Sequence, residues 1–245
     1  MLSRYLGNQV ASTRLITGEP FVGNPVGSQE EHRSMVTKRQ REILIGTILG
    51  DGYLQKTGKR NARLKLEHSE RQKDYIFWKY EELKNLMQDK PKRIERYNPI
   101  WKKSYVYYRC QSHSMPLLGR YKRYFYDEKG KKRIPENIEA LLKAPLSLAV
   151  WYMDDGHYYP RDGVAYIYLP KYSEEDLQRL LRALEKNFDL KPKVIYKRGY
   201  PCIYFPRQET EKLMEIIKPW MPDFMKYKTP PDPVTTEGAM PEGHA

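Results

Sequence analysis

The 245-residue sequence predicts an α+β fold made of two related halves, each reading helix, two strands, helix, two strands, helix. Three observations carry this reading. Two apolar runs, Leu44 to Gly52 (LIGTILGDG) and Leu148 to Gly156 (LAVWYMDDG), end alike in Asp-Gly. Eighteen residues separate Asp51 from Ser69, and eighteen separate Asp155 from Ser173, each serine opening a helix-start pattern. The stretches between the helices alternate polar and apolar residues with the period of two that belongs to strands.

Residues 1–36 mix Gly, Pro, Ser and Asn without a sustained period and read as an irregular extension. Thr37 and Gln40 form a capping box that opens a helix running to about Gly50. Gly46 and Gly50 are four apart and share a face. Each costs about 1 kcal/mol of helix propensity, and what they permit is close approach of a second backbone. A basic hairpin follows. Ser69 to Gln72 then reads as another capping box, for a helix to about Met87. Lys92 to Ser112 forms a strand pair turning near Asn98 and Pro99, and a helix spans about Met115 to Tyr126. The charged residues 127–134 read as a linker between halves at 37–126 and 135–229. Pro145 suits the first turn of the second apolar helix, with Ala149 as its small contact residue. Tyr158 to Leu169 forms the next hairpin, and Ser173 to Asp176 a box-like cap for a helix to about Phe188. Lys193 to Phe205 pairs around Arg198 and Gly199, and Gln208 to Trp220 forms the last helix. Residues 230–245 read as a disordered tail.

Lys plus Arg number 44 against 31 Asp plus Glu, a net charge of +13 that suits a polyanionic partner. Two cysteines, Cys110 and Cys202, lack CxxC spacing, so they read as buried free thiols of a reducing compartment. No apolar stretch is long enough for a membrane span, and the N-terminus lacks a signal-peptide core. A soluble, intracellular protein is expected, in cytoplasm or nucleoid or in a mitochondrion or chloroplast. Scattered histidines argue against a zinc or HNH nuclease, and the absence of a Walker motif against ATP use.

A carboxylate at a helix C-terminus meets the negative end of the helix dipole. If the two apolar helices pack side by side, Asp51 and Asp155 share one end of the pair and repel each other. Cations relieve that cost. An all-oxygen site with few protein ligands suits Mg²⁺, with Mn²⁺ as the alternative, and paired metals suit phosphodiester hydrolysis. Asp154 adds a carboxylate that either joins this site or caps and pairs with a lysine. The strands supply faces for DNA. Arg63 and Lys65 alternate with Leu64 and Leu66, and Tyr105, Tyr107 and Arg109 with Val106, Tyr108 and Cys110. Tyr166 and Tyr168 share a face, as do Lys193 and Lys197. Lys56, Tyr158, Arg161 and Arg198 complete the expected DNA-binding set.

Both apolar runs resemble the signature of the LAGLIDADG homing endonucleases. The first matches at Leu44, Gly46, Ile48, Gly50, Asp51 and Gly52. The second matches at Leu148, Ala149, Asp155 and Gly156, and departs at Val150, Trp151 and Asp154. The segments KRIPEN at 132–137, PLSLAVWYMDDG at 145–156 and MKYKTP at 225–230 look like the single-chain, two-motif branch, closest to the omega-type intron-encoded enzymes. The resemblance covers roughly residues 37 to 230. It implies pseudo-twofold αββαββα halves with saddle-shaped antiparallel sheets, packed through the two motif helices. It also implies a monomer that cuts both strands of a long, asymmetric double-stranded DNA target, leaves 3′ overhangs and serves intron mobility. Asp51 and Asp155 would be the metal-binding catalytic acids, with the Gly50 and Asp154 carbonyls in the metal shell. Lys132 and Lys228 would flank the active site, and Glu67 would organise water. Two alternatives stay open: a maturase that binds intron RNA, and a catalytically inactive DNA-binding protein of the same fold.

Overall fold

The computed structural model describes residues 36–231. The expected N-terminal extension and all but the start of the Pro-rich tail lie outside the described residues. Helix α1 (Lys38–Leu49) begins at the predicted capping box. Thr37 Oγ1 accepts from the Gln40 N–H at 3.1 Å, and Gln40 Oε1 accepts from the Thr37 N–H at 3.1 Å. From Ile43 onward α1 is wholly buried, so its apolar surface needs partners on nearly every side.

The chain continues through β1 (Tyr53–Lys56), β2 (Ala62–Ser69), α2 (Lys73–Glu82), β3 (Lys92–Asn98), β4 (Lys103–Gln111) and α3 (Pro116–Phe125). A short α4 (Ile138–Leu141) precedes the second motif helix, α5 (Pro145–Asp155). Then come β5 (Gly156–Tyr159), β6 (Val164–Tyr168), α6 (Glu174–Phe188), β7 (Lys193–Lys197), β8 (Tyr200–Phe205) and α7 (Arg207–Ile217). The strands form two antiparallel sheets, ordered β1-β2-β4-β3 and β5-β6-β8-β7. The same order in both is the predicted repeat made concrete. Arg198 and Gly199 close the last hairpin with φ of 51° and 78°, as a two-residue hairpin turn of the I′ type requires.

Helices α1 and α5 pack against each other, and one hydrophobic core runs through both halves. Gly46 faces Val150 and the Ser147 carbonyl so closely that a Cβ on it would lie 2.7 Å from the Val150 Cβ. Ser147 Oγ donates to the Glu42 carbonyl at 2.8 Å, stitching the two helices together. The small contact residue of α5 is therefore Ser147, not Ala149. Ser147, Val150, Trp151 and Asp154 form a stripe at helical spacing, and Ala149 lies off it although fully buried.

Two caps differ from expectation. Ser69 makes no side-chain cap, because it still pairs with Tyr107 in the β2–β4 ladder. A 3₁₀ turn over Glu70–Gln72 intervenes before α2, which ends at Glu82. Ser173 does cap α6, accepting from the Asp176 N–H at 3.2 Å. Asp176 does not close a box; it accepts from the Ile134 N–H at 3.1 Å and so fastens the linker to the second half. Cys110 and Cys202 are free and buried, and burial pushes the Cys110 thiol up to about 12. Among the described residues no helix is long and apolar enough to cross a membrane.

Candidate active site

The ends of α1 and α5 carry the two Asp-Gly motifs. The Gly50 N–H makes the last regular bond of α1, to Gly46 O at 3.0 Å; Gly50 then leaves the helical conformation, with ψ at −131°, and the Gly52 N–H turns back to Thr47 O at 2.7 Å, leaving Asp51 outside the helix. Its side chain is 43% exposed. Asp155 ends α5 and is more enclosed. Burial raises both carboxyls, and the neighbouring acids raise them further: Asp154 for Asp51, and Asp154 with Asp51 for Asp155, which stands well above the ordinary value. The acid that raises both is Asp154, with Asp51 adding to Asp155.

Two lysines stand in matching positions. Lys132 Nζ donates to the Gly50 carbonyl, immediately before Asp51. Lys228 Nζ donates to the Asp154 carbonyl, immediately before Asp155, at 3.1 Å, and to Met153 O at 2.6 Å. Each arrives on its own anchored segment. The Lys132 segment is held by Arg133 N–H to Phe125 O at 2.9 Å, and the Lys228 carbonyl accepts from Tyr152 Oη at 2.9 Å. Burial pulls both ammonium groups down, and Asp51, Asp154 and Asp155 pull them back up.

A third cation lies beneath. Lys79 of α2 is fully buried and donates to Asp154 Oδ1 at 2.6 Å. Asp154 Oδ2 accepts from the Asp51 N–H at 3.1 Å. Lys79 also reaches His68 Nε2 at 3.4 Å and lies 4.4 Å from the Tyr75 ring centre. Burial first, then the Lys79 charge, pushes His68 down to about 4, so its ring is neutral. Nε2 then accepts from Lys79, and Nδ1–H faces Gln72 Oε1 at 3.2 Å and Asp51 Oδ2 at 3.7 Å. Asp51, His68 and Asp154 each bring a ligand atom within 4.8 Å of the others. Two of the three are already engaged, His68 as a donor to Gln72 Oε1 and an acceptor from Lys79, and Asp154 by Lys79 and a backbone N–H. Asp51 is the member open to a cation. The Asp154 carboxylate therefore takes the capping and lysine-pairing role, leaving its carbonyl toward Lys228.

Lys79 and His68 were missed from sequence. The signal was there: His68 continues the apolar alternation of Leu64 and Leu66, and Lys79 follows Tyr75 and Ile76 at helical spacing on the buried face of α2. The second half buries no such cation: the core side of α6 is Leu177, Leu180, Ala183 and Leu184, with Asp176 at its start.

The strand register sorts the expected DNA-binding residues. In the first sheet Arg63, Lys65 and Glu67 lie on one face with Tyr105, Tyr107 and Arg109. Arg96 joins them, 5.1 Å from the Tyr107 ring centre. Glu67 accepts from Arg96 at 2.7 Å through both oxygens and from Arg109 Nε at 2.7 Å. Burial raises its carboxyl, and the two arginines overcome that and hold it below the ordinary value. In the second sheet Tyr166, Tyr168, Lys193 and Lys197 share the outer face, and Lys197 Nζ sits 3.3 Å from the Tyr166 ring centre and 4.8 Å from that of Tyr159. Arg161 lies in the β5–β6 turn beside Asp162, and Arg198 in the β7–β8 turn.

Two residues fall elsewhere. Lys56 pairs with Ala62 and points to the side of Leu54 and Leu64, opposite Arg63. Tyr158 pairs with Ala165 and packs against the core; its neighbour Tyr159 occupies the outer face. In both cases a one-residue change of register reverses the face.

The profile of the LAGLIDADG DNA endonuclease family matches residues 41–213. The probable intron-encoded endonuclease 1 of Wickerhamomyces canadensis is 28% identical over 198 residues, covering 79% of this chain and 84% of that protein. DNA endonuclease I-ChuI of Chlamydomonas applanata is 27% identical over 210 residues, covering 79% and 95%. Protein RecA of Mycolicibacterium flavescens is 27% identical over 234 residues, covering 87% of this chain; the chain spans 51% of that relative's length. In fold, the chain is similar to the homing endonuclease I-WcaI bound to its DNA recognition sequence. The TM-score is 0.73, with 24% identity over 85% of this chain and 95% of that one.

Proposed function

Because the chain belongs to the LAGLIDADG DNA endonuclease family, we propose that it is a site-specific homing endonuclease that hydrolyses both strands of a long, asymmetric DNA target and leaves 3′ overhangs. The observation that carries this reading is the paired arrangement of Asp51 with Lys132 and Asp155 with Lys228 at the joined ends of α1 and α5. One acid and one lysine serve each strand, so a single chain suffices as a monomer.

The donor set fits a hard divalent cation, Mg²⁺ with Mn²⁺ as the alternative: two carboxylates raised by burial and by the nearby Asp154, and the Gly50 and Asp154 carbonyls beside them, which also accept from Lys132 and Lys228. When bound, such ions supply an activated water and neutralise charge on the scissile phosphate. The chain's own residues do the rest. Asp51 and Asp155 would hold the ions. Lys132 and Lys228 Nζ, held against the Gly50 carbonyl and the Met153 and Asp154 carbonyls, would stabilise charge developing on the phosphate. Asp154 and Lys79 fix the Asp51 backbone. The outer sheet faces bind the duplex through Arg63, Lys65, Tyr105, Tyr107 and Arg109 on one side and Tyr166, Tyr168, Lys193 and Lys197 on the other, with Arg161 and Arg198 at the hairpin turns. Glu67 orients Arg96 and Arg109 in this surface.

The test is a cleavage selection. The protein is incubated with a randomised duplex library and Mg²⁺, and the cut ends are sequenced alongside Asp51→Asn and Asp155→Asn. A long, non-palindromic consensus with 3′ overhangs, absent in both variants, is expected. Sequence-selective retention of DNA without cutting refutes the endonuclease reading and leaves a DNA-binding protein; preference for RNA alone refutes both.

A further inference from the structure

A basic cleft of about 770 Å³ lies between the β1–β2 turn, α3 and the linker. The hairpin contributes Lys56, Lys59 and Arg60, α3 contributes Lys122 and Arg123, and the linker contributes Lys129 and Arg133. Two acids share the cleft, Asp127 and Glu128, and Asp127 Oδ1 is committed to the Lys131 N–H at 2.8 Å. Among the described residues none of the seven cations forms an ion pair. Elsewhere basic residues find carboxylates readily, as Arg39 does with Glu82 and Lys186 with Glu139. Crowded like charges raise the energy of the folded state unless an anion joins them.

The cleft is preformed. Ala62 and Met115 exchange backbone hydrogen bonds of 3.0 and 3.4 Å, which fasten the hairpin to the start of α3. Gly119 leaves no room for a side chain against the Arg60 carbonyl. Lys122 Nζ lies 3.2 Å from the Tyr126 ring centre, so its stem is held and its charge faces the cleft wall. Lys56 enters from the side of β1 opposite the Arg63–Lys65 face, out of reach of a duplex lying on that face. Tyr126 is the one aromatic lining residue, and it is buried, so no ring is offered for base stacking. Phosphates rather than bases fit such a wall.

We propose that this cleft is a second nucleic-acid site, separate from the sheet faces, which binds a phosphodiester backbone without reading its bases. It stands whether or not the protein cuts DNA. The test uses the full chain and fluorescence anisotropy over a salt series, with a 20-nucleotide oligouridine in one arm and a 30-base-pair duplex of arbitrary sequence in the other. Lys59→Glu/Arg123→Glu/Lys129→Glu reverses three exposed cations. Lys84→Glu/Lys186→Glu/Lys212→Glu removes the same charge elsewhere. Each lost phosphate contact lowers the slope of log K against log salt by about 0.7 to 0.9. The cleft variant is expected to lose about 2 from the slope in at least one arm, and the control less than 0.5. Loss with oligouridine identifies RNA as the occupant; loss with duplex identifies DNA beyond the sheets. The same loss is expected in an Arg63→Glu/Lys65→Glu background. If the cleft variant behaves like the control in both arms, or adds nothing in that background, the proposal falls. Lys59→Gln/Arg123→Gln/Lys129→Gln, with half the charge change, decides the matter if the reversal variant does not fold.

Discussion

Replacing Lys79 with Met isolates the buried charge beneath the candidate active site. Both side chains of the Lys79–Asp154 pair are wholly inaccessible to solvent, and their atoms lie 2.6 Å apart. Without Lys79, the Asp154 carboxylate keeps the hydrogen bond from the Asp51 N–H at 3.1 Å and the neighbouring Tyr75 hydroxyl, but no ion-pair partner. Breaking a buried pair from one side costs about 3–5 kcal/mol. In a chain of this size each kcal/mol moves the midpoint by about 2–4 °C, so a fall of about 10 °C is expected. Replacing both partners removes the uncompensated charge. Lys79→Met/Asp154→Asn keeps an acceptor for the Asp51 N–H and should recover most of the loss, giving a coupling energy of about 3 kcal/mol in a double-mutant cycle. Equilibrium urea unfolding of the wild type, both single variants and the double measures this. A Lys79→Met loss under 1 kcal/mol, or a double variant equal to the sum of the singles, would refute the reasoning.

Three further outcomes are expected. Burial and Asp154 raise the Asp51 and Asp155 carboxyls, so the native state holds these protons more tightly than the unfolded chain, and stability falls as pH rises from about 3.8 through the raised values. Asp155→Asn should therefore melt higher than wild type at pH 7 without divalent ions, and added Mg²⁺ should raise the wild-type midpoint only; a lower-melting variant contradicts this. His68 sits at about 4 against an ordinary 6.5, so its contribution is full above 6.5 and is lost as pH falls toward 4, on the order of 3 kcal/mol; His68→Gln should flatten the stability profile across that window in urea titrations at stepped pH. Glu67→Gln should release Arg96 and Arg109 on the outer face, tightening non-specific duplex binding and steepening its salt dependence in anisotropy titrations; unchanged binding would mean the arginines do not face the nucleic acid.

Most of the fold could be read from short-range pattern. Thr37 and Gln40 announced the first helix, Pro145 the second, and Arg198 with Gly199 the last turn. Errors gathered where a local signal competed with a tertiary one. Ser69 has the sequence of a cap, yet the ladder with Tyr107 claims its backbone. Lys56 and Tyr158 carry suitable chemistry, yet each stands one register step from the face assigned to it.

The sequence alone determined the two halves, the motif helices, the acids at their ends and the lysines that close each half, because caps, periodicity and spacing act over a few residues. Only the tertiary structure decided which groups answer one another. Asp154 meets Lys79 across 75 positions and the Asp51 N–H across 103, and Lys132 reaches Gly50 across 82. Periodicity places a side chain on a face; what lies opposite that face depends on how α1, α2 and α5 pack. That packing made Asp154 a buried anchor, bound Glu67 to two arginines and turned Lys56 into a separate basic cleft.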